Sequence, residues 1–190
     1  MLSAVLRITR GDSAVLIGGD APLGSWERLD GRNPELLRAE AIRVPHHCGH
    51  ATEGGTEWTE YEQLYTAVNA KLSVVSVGTN NGYEHPQTEH LVAARRGGQC
   101  RLICTQLTPR CHHNPPELRE AMKDQATMVE PPYRHWDEDG KPRSTEVPCA
   151  GSVVAWIDAG GKLHHEPSAG SEHSKLLLRV DGPLCQQALD

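Results

Sequence analysis

Apolar and polar positions alternate from the start of the chain, and the period changes as the chain proceeds. Residues 2–9 alternate imperfectly, as a half-buried strand does, and Gly11-Asp12 has the composition of a tight hairpin turn. Residues 13–17 form the returning strand, which closes on Gly18-Gly19-Asp20. A helical pattern covers 23–38; it breaks at Asp30-Gly31 and restarts with Asn33 as cap and Pro34 at the first helical position. A short buried strand follows at 41–44, and then a Gly-rich loop over 48–56. Residues 59–68 place Tyr61, Leu64, Tyr65 and Val68 on one helical face. The strongest apolar run, 72–77, predicts a strand; 88–96 predicts a helix capped by Thr88 and ended by Gly97-Gly98; 101–107 predicts another strand.

Residues 108–147 are rich in Pro, charge and His and predict an irregular segment with one helical turn near 117–123. A strand at 152–157, with Trp156 in the core, a turn at Ala159-Gly160-Gly161, and a strand or short helix at 175–180 complete the pattern. Two strands followed by alternating helices and strands give an α/β layered unit. The expected organisation is a half domain over 1–107, then an irregular insertion over 108–190 that contributes closing strands to the same domain.

Composition narrows the function. A hydrophobic fraction of 37% without a single Phe leaves a modest core of Val, Leu, Ile, Ala and the four Trp. A formal charge of −6 argues against a broad basic face for nonspecific nucleic-acid binding. No apolar run is long enough to span a bilayer, and the start lacks the architecture of a signal peptide, so a cytoplasmic protein without membrane contact is expected. Six cysteines are too few for a dense disulfide framework, which makes them free thiols or metal ligands.

The candidate chemistry lies at strand ends, where a rigid sheet positions side chains and a loop exposes them. Asp20 follows one strand, and there it is either a helix-capping turn residue or a ligand for a hard or borderline cation. Pro45-His46-His47-Cys48-Gly49 follows the next; its histidines are either surface loop residues or metal ligands, and in extended backbone they would point to opposite sides. Gly78-Thr79-Asn80-Asn81-Gly82-Tyr83-Glu84-His85-Pro86 follows the third. There Pro86 restricts His85, which is either a plain loop residue or a group for substrate contact or proton transfer, with Asn80, Asn81 and Tyr83 as candidate substrate contacts.

Taken together, these motifs resemble the second half of metallo-β-lactamase-fold hydrolases, and within them the hydrolase domain of the ComEC competence proteins. The resemblance runs from about residue 2 to 107 and implies the C-terminal half of an αββα sandwich. It implies that Asp20 bridges two metal ions, zinc or manganese, and that His46 binds one of them. It places His47 and His85 at the rim as catalytic groups near a scissile phosphodiester of a nucleic acid or nucleotide. Two departures matter. Cys48-Gly49 stands where the family has Gly-Ser, and the first-half motif His-x-His-x-Asp-His is absent. A catalytic zinc needs three protein ligands, so Asp20 and His46 alone do not complete a site. The expectation is therefore a hydrolase half completed by a protein partner that carries the N-terminal half of the fold. The alternative is a noncatalytic interaction subunit. A second candidate site, for a structural zinc, combines Cys104, Cys111 and Cys149 with His112 or His113; the competing reading makes Cys104 a small core residue.

Overall fold

The computed structural model describes residues 3–52, 57–79, 81–96, 100–112, 134–136, 142–145, 147–168, 171–180 and 182–186. The hairpin predicted at the start is present: β1 (Leu6–Arg10) pairs antiparallel with β2 (Ser13–Ile17) around Gly11, whose φ of 58° is one that glycine adopts without strain. From β2 onward each strand pairs parallel with the next, through β3 (Ala41–Arg43), β4 (Leu72–Val75) and β5 (Arg101–Cys104), in the order β1-β2-β3-β4-β5. Parallel neighbours require crossovers, and these are α1 (Leu23–Arg32), α2 (Tyr61–Val68) and α3 (Thr88–Arg96). The α/β class expected from the sequence is the class observed, a mixed sheet flanked by helices.

Repeated crossovers of one hand in a sequentially ordered sheet bring their helices to one face. That face holds the main core. Leu16, Ile42, Val75, Leu102 and Cys104 from the strands meet Trp26, Leu64, Val68, Leu91 and Ala94 from the helices, all buried. The alternate strand positions Val15, Ala41, Leu72, Val74 and Ile103 face the other way and meet Ala150, Val153 and Leu163. Leu163 belongs to a second hairpin, formed by β8 (Val154–Ile157) and β9 (Leu163–Glu166). A further pair, β6 (Arg134–Trp136) and β7 (Pro142–Thr145), lies between β5 and β8 in sequence. The last helix, α4 (Glu172–Arg179), adds Leu176 and Leu177 to the main core.

Several local expectations are corrected. The helix at 23–32 runs through Asp30-Gly31 rather than breaking there; a single 3-10 turn, Pro34–Leu36, follows, and Asn33 makes no side-chain cap. Lys162 and Asp158 close the turn between β8 and β9, and the hairpin leaves Trp156 45% exposed against His164 instead of in the core. Val154 and Ala155 are exposed as well, so this stretch of β8 is open on both faces. Of the two readings left open for 175–180, the helix is the one observed: it spans Glu172–Arg179, with Leu176 and Leu177 buried. The turn of helix expected near 117–123 lies outside the described residues.

Candidate active site at the strand ends

Asp20, His46, His47 and His85 all follow the carboxyl ends of parallel strands, where open α/β sheets bind ligands. After β2, the chain passes Gly18, where a Cβ would lie 2.7 Å from the Trp26 ring and 3.0 Å from Pro45, so only glycine admits this close approach. The Asp20 amide then donates to Ser3 Oγ at 2.8 Å, and the His46 amide donates to the Gly19 carbonyl at 2.8 Å. The two strand-end loops are thus bonded to one another.

The turn after β3 is not extended. His46, His47 and Cys48 have φ values of 52°, 52° and 63°, three consecutive non-glycine residues in the left-handed region. Each costs about 1 kcal/mol relative to ordinary backbone. The expectation that adjacent histidines point to opposite sides fails for this reason: the tight 3-10 turn Pro45–Cys48 turns both rings toward His85, at centroid distances of 5.8 Å for His46 and 6.4 Å for His47.

His47 Nδ1 lies 2.7 Å from the Ser76 carbonyl. A carbonyl only accepts, so Nδ1 carries a proton, and in the neutral ring Nε2 presents a lone pair. That Nε2 lies 3.8 Å from Asp20 Oδ1. Two acceptors facing one another across this gap repel unless a proton or a cation lies between them. The same arrangement, an imidazole anchored through one nitrogen to a carbonyl, orients metal-binding histidines generally.

His85 closes the cluster. The Asn81 side chain holds its loop: the carboxamide oxygen accepts from the His85 amide at 2.7 Å, and the amide nitrogen donates to the carbonyls of Gly78 (2.7 Å) and His85 (3.0 Å). Asn81 is thereby spent on positioning. Tyr83, 80% exposed, stacks on the outer side of the His85 ring. Asn80 lies outside the described residues. The His85 ring rests on Gly49, where any Cβ would come within 2.7 Å of three ring atoms. Its Nδ1 is buried without a hydrogen-bond partner. Burial, and then the neighbouring His46, His47 and His50, push its pKa below the ordinary value, so the ring is held neutral.

Beneath this rim stands a histidine that sequence reasoning passed over. His90 of α3 is buried, donates from Nδ1 to the Gly49 carbonyl at 2.8 Å, and accepts from the Tyr65 hydroxyl at Nε2, 2.7 Å away. Tyr61 stacks on it at 4.0 Å. Burial drives its pKa down to about 4. The only available signal was its place beside Leu91 and one turn before Ala94, on the inward side of α3.

Of the residues expected for a structural zinc, Cys104, Cys111 and Cys149 are buried and close enough to influence one another's ionisation. Burial and the neighbouring thiols push Cys149 well up. His112 is partly buried nearby, with its Nε2 toward Gly182, and His113 lies outside the described residues. Among the described residues, no group of three or more Cys, His, Asp or Glu side chains is placed to hold a metal ion. None of the described helices is long and apolar enough to cross a membrane.

Over 106 residues, 56% of its length, the chain is 29% identical to the competence protein ComA of Neisseria gonorrhoeae. The chain spans 14% of that relative's length. No family model and no solved structure matches it. The chain is thus distantly similar to a competence protein over a little more than half its own length.

Proposed function

We propose that the strand-end cluster is one wall of a metal-dependent hydrolase site for phosphodiesters, completed by ligands from a protein partner. The observation that carries this reading is His47 Nε2 facing the Asp20 carboxylate at 3.8 Å, with the imidazole fixed from behind by Ser76. A divalent cation between these acceptors removes their repulsion and gains two ligands. Asp20 and His47 would hold the ion, with His46 beside them. This exchanges the roles first expected of the two histidines, because His47 is the one whose ring is anchored toward Asp20. Such an ion, zinc or manganese, supplies a hydroxide at neutral pH and offsets charge developing on phosphorus.

His85, held neutral, is placed to hand a proton to or from the substrate, and Tyr83 covers its open side. The likeness to a competence protein supports a nucleic-acid or nucleotide phosphodiester as the substrate class. The test is metal content and phosphodiester hydrolysis of the chain with its co-purifying partner, for the wild type and for Asp20→Ala and His47→Ala. Both variants are expected to lose the rim metal and the activity. Unchanged metal content and rate in both would return the chain to the alternative, a noncatalytic interaction subunit.

A further inference from the structure

At the other side of the sheet, the edge formed by β1 is open. Among the described residues only β2 pairs with it, and β1 stands first in the strand order. In a hairpin closed by two residues, Arg10, Ile8 and Leu6 exchange backbone bonds with Ser13, Val15 and Ile17. Arg7 and Thr9 therefore turn their N–H and C=O groups to the open edge. On the face away from the main core, Leu6 and Ile8 are 55% and 57% exposed. On the helix face, a cleft of about 380 Å³ lies beside β1, α1 and the 3-10 turn Pro34–Leu36. Leu16, Leu29 and Leu36 give it apolar surface, and Arg7, Arg28 and Arg32 give it charge; no carboxylate among the described residues lines it. Arg7 Nε donates to the Leu36 carbonyl at 3.1 Å and Nη2 to the Arg38 carbonyl at 3.5 Å, which fixes the guanidinium without cancelling its charge. Arg28 Nη2 donates to Ser25 Oγ at 3.1 Å. Ser3, which also lines the cleft, accepts the Asp20 amide at its Oγ, so the cleft reaches the base of the histidine rim.

We propose that β1 and this cleft form a strand-addition site for an extended segment, both acidic and apolar, of a partner protein. The segment pairs through its backbone with Arg7 and Thr9 and extends the five-stranded sheet by one strand. Its side chains alternate between the two faces. On one face they cover Leu6 and Ile8; on the other an apolar side chain enters the cleft, flanked by carboxylates that meet Arg28 and Arg32. Charge selects the occupant. A chain of formal charge −6 concentrates three guanidiniums here, so the complementary partner is anionic. A second copy of this chain is a poor match, because pairing β1 with β1 sets the basic run Leu6-Arg7-Ile8-Thr9-Arg10 against itself. A small amphiphilic acid would fill the cleft but leave the edge backbone, Leu6 and Ile8 uncovered. Charges on an edge strand commonly block pairing. Here two exposed apolar side chains alternate with the arginines and an apolar cleft adjoins them, the reverse of such a block. The site stands whether or not the rim holds a metal ion.

The test is titration of the full chain into a labelled synthetic peptide, Thr-Glu-Val-Leu-Val-Glu-Thr, read by fluorescence anisotropy, with a peptide carrying Lys in place of both Glu as the control. We expect saturable binding that weakens as salt rises, and affinity for the lysine peptide lower by roughly tenfold or more. The Arg28→Glu/Arg32→Glu double variant should weaken binding of the acidic peptide by roughly tenfold or more and improve binding of the lysine peptide. The Asp20→Ala/His47→Ala double variant should bind the acidic peptide as the unmutated chain does, which separates this site from the rim. Amide hydrogen exchange on the unmutated chain covers the case in which the arginine variant misfolds: bound peptide should slow exchange at Arg7 and Thr9. No saturable binding, equal affinity for the two peptides, unchanged exchange at Arg7 and Thr9 in the bound chain, or a concentration-dependent dimer that protects these amides without peptide would each overturn the proposal.

Discussion

The histidine rim and the layer directly beneath it have the same kinds of residue and opposite physics. In the lower layer, His90 has both ring nitrogens bonded, a tyrosine stacked on its face, and no exposure. On the rim, His85 keeps a buried nitrogen without a partner, His47 turns Nε2 to a carboxylate, and the backbone is left-handed for three residues running. One histidine has its bonding completed by the fold, and the others keep ring nitrogens turned to the rim. Gly49 joins the two layers: its carbonyl accepts the hydrogen bond from His90 Nδ1, and its missing side chain makes room for His85. The bonds that stabilise the fold lie below, and the chemistry we propose lies above, the usual partition at a site built on a rigid base.

The largest perturbation of this contrast is His90→Ala. It deletes a buried ring and leaves the Gly49 carbonyl and the Tyr65 hydroxyl unsatisfied, at an expected cost of about 4 kcal/mol in denaturant unfolding. Acid tests the same residue without mutation. Its folded pKa of about 4 lies below the ordinary 6.5, so the unfolded chain binds the extra proton between those values. The stability it contributes is therefore full above pH 6.5 and is lost as the pH falls toward 4, by about 3 kcal/mol. His173, also pushed to about 4 by burial, adds a loss of the same sign, so the slope that disappears in His90→Ala isolates the part due to His90.

Gly49→Ala strikes the junction. Its methyl group overlaps the His85 ring, and an expected cost of about 2 kcal/mol accompanies complete loss of rim function. The smallest effect has the opposite sign. His46→Gly relieves a left-handed residue and should raise stability by about 1 kcal/mol in thermal or chemical unfolding while weakening metal retention. If His46→Gly destabilised the chain instead, the rim would belong to the structural layer and the contrast would fail.

Much of this was legible in the sequence. The succession of two strands and then alternating helices and strands came from periodicity alone, since each βα unit carries its own change of period. The clustering of Asp20, the paired histidines and His85 followed from their position at strand ends. What stayed hidden was local geometry and long-range convergence. Nothing in Pro45-His46-His47-Cys48 announces a left-handed turn, because Gly and Asn, the residues that usually mark one, are absent from it. Asn81 looked like a substrate contact, but hydrogen-bonds its own loop. The Leu184 amide reaches the Cys111 carbonyl at 2.9 Å from far along the chain, and no spacing rule links the two.

The unbroken order of the five strands also bears on how the molecule is made. Each strand docks beside the one synthesised just before it, so every step of sheet growth closes only a short loop. A chain emerging from the ribosome can thus add one βα unit at a time, and each new unit brings one piece of the rim: first Asp20, then the paired histidines, then His85. The segments that carry Cys149 and Cys185 follow, and their backbones bond to Cys104, Thr105 and Cys111 beside the last strand of the sheet.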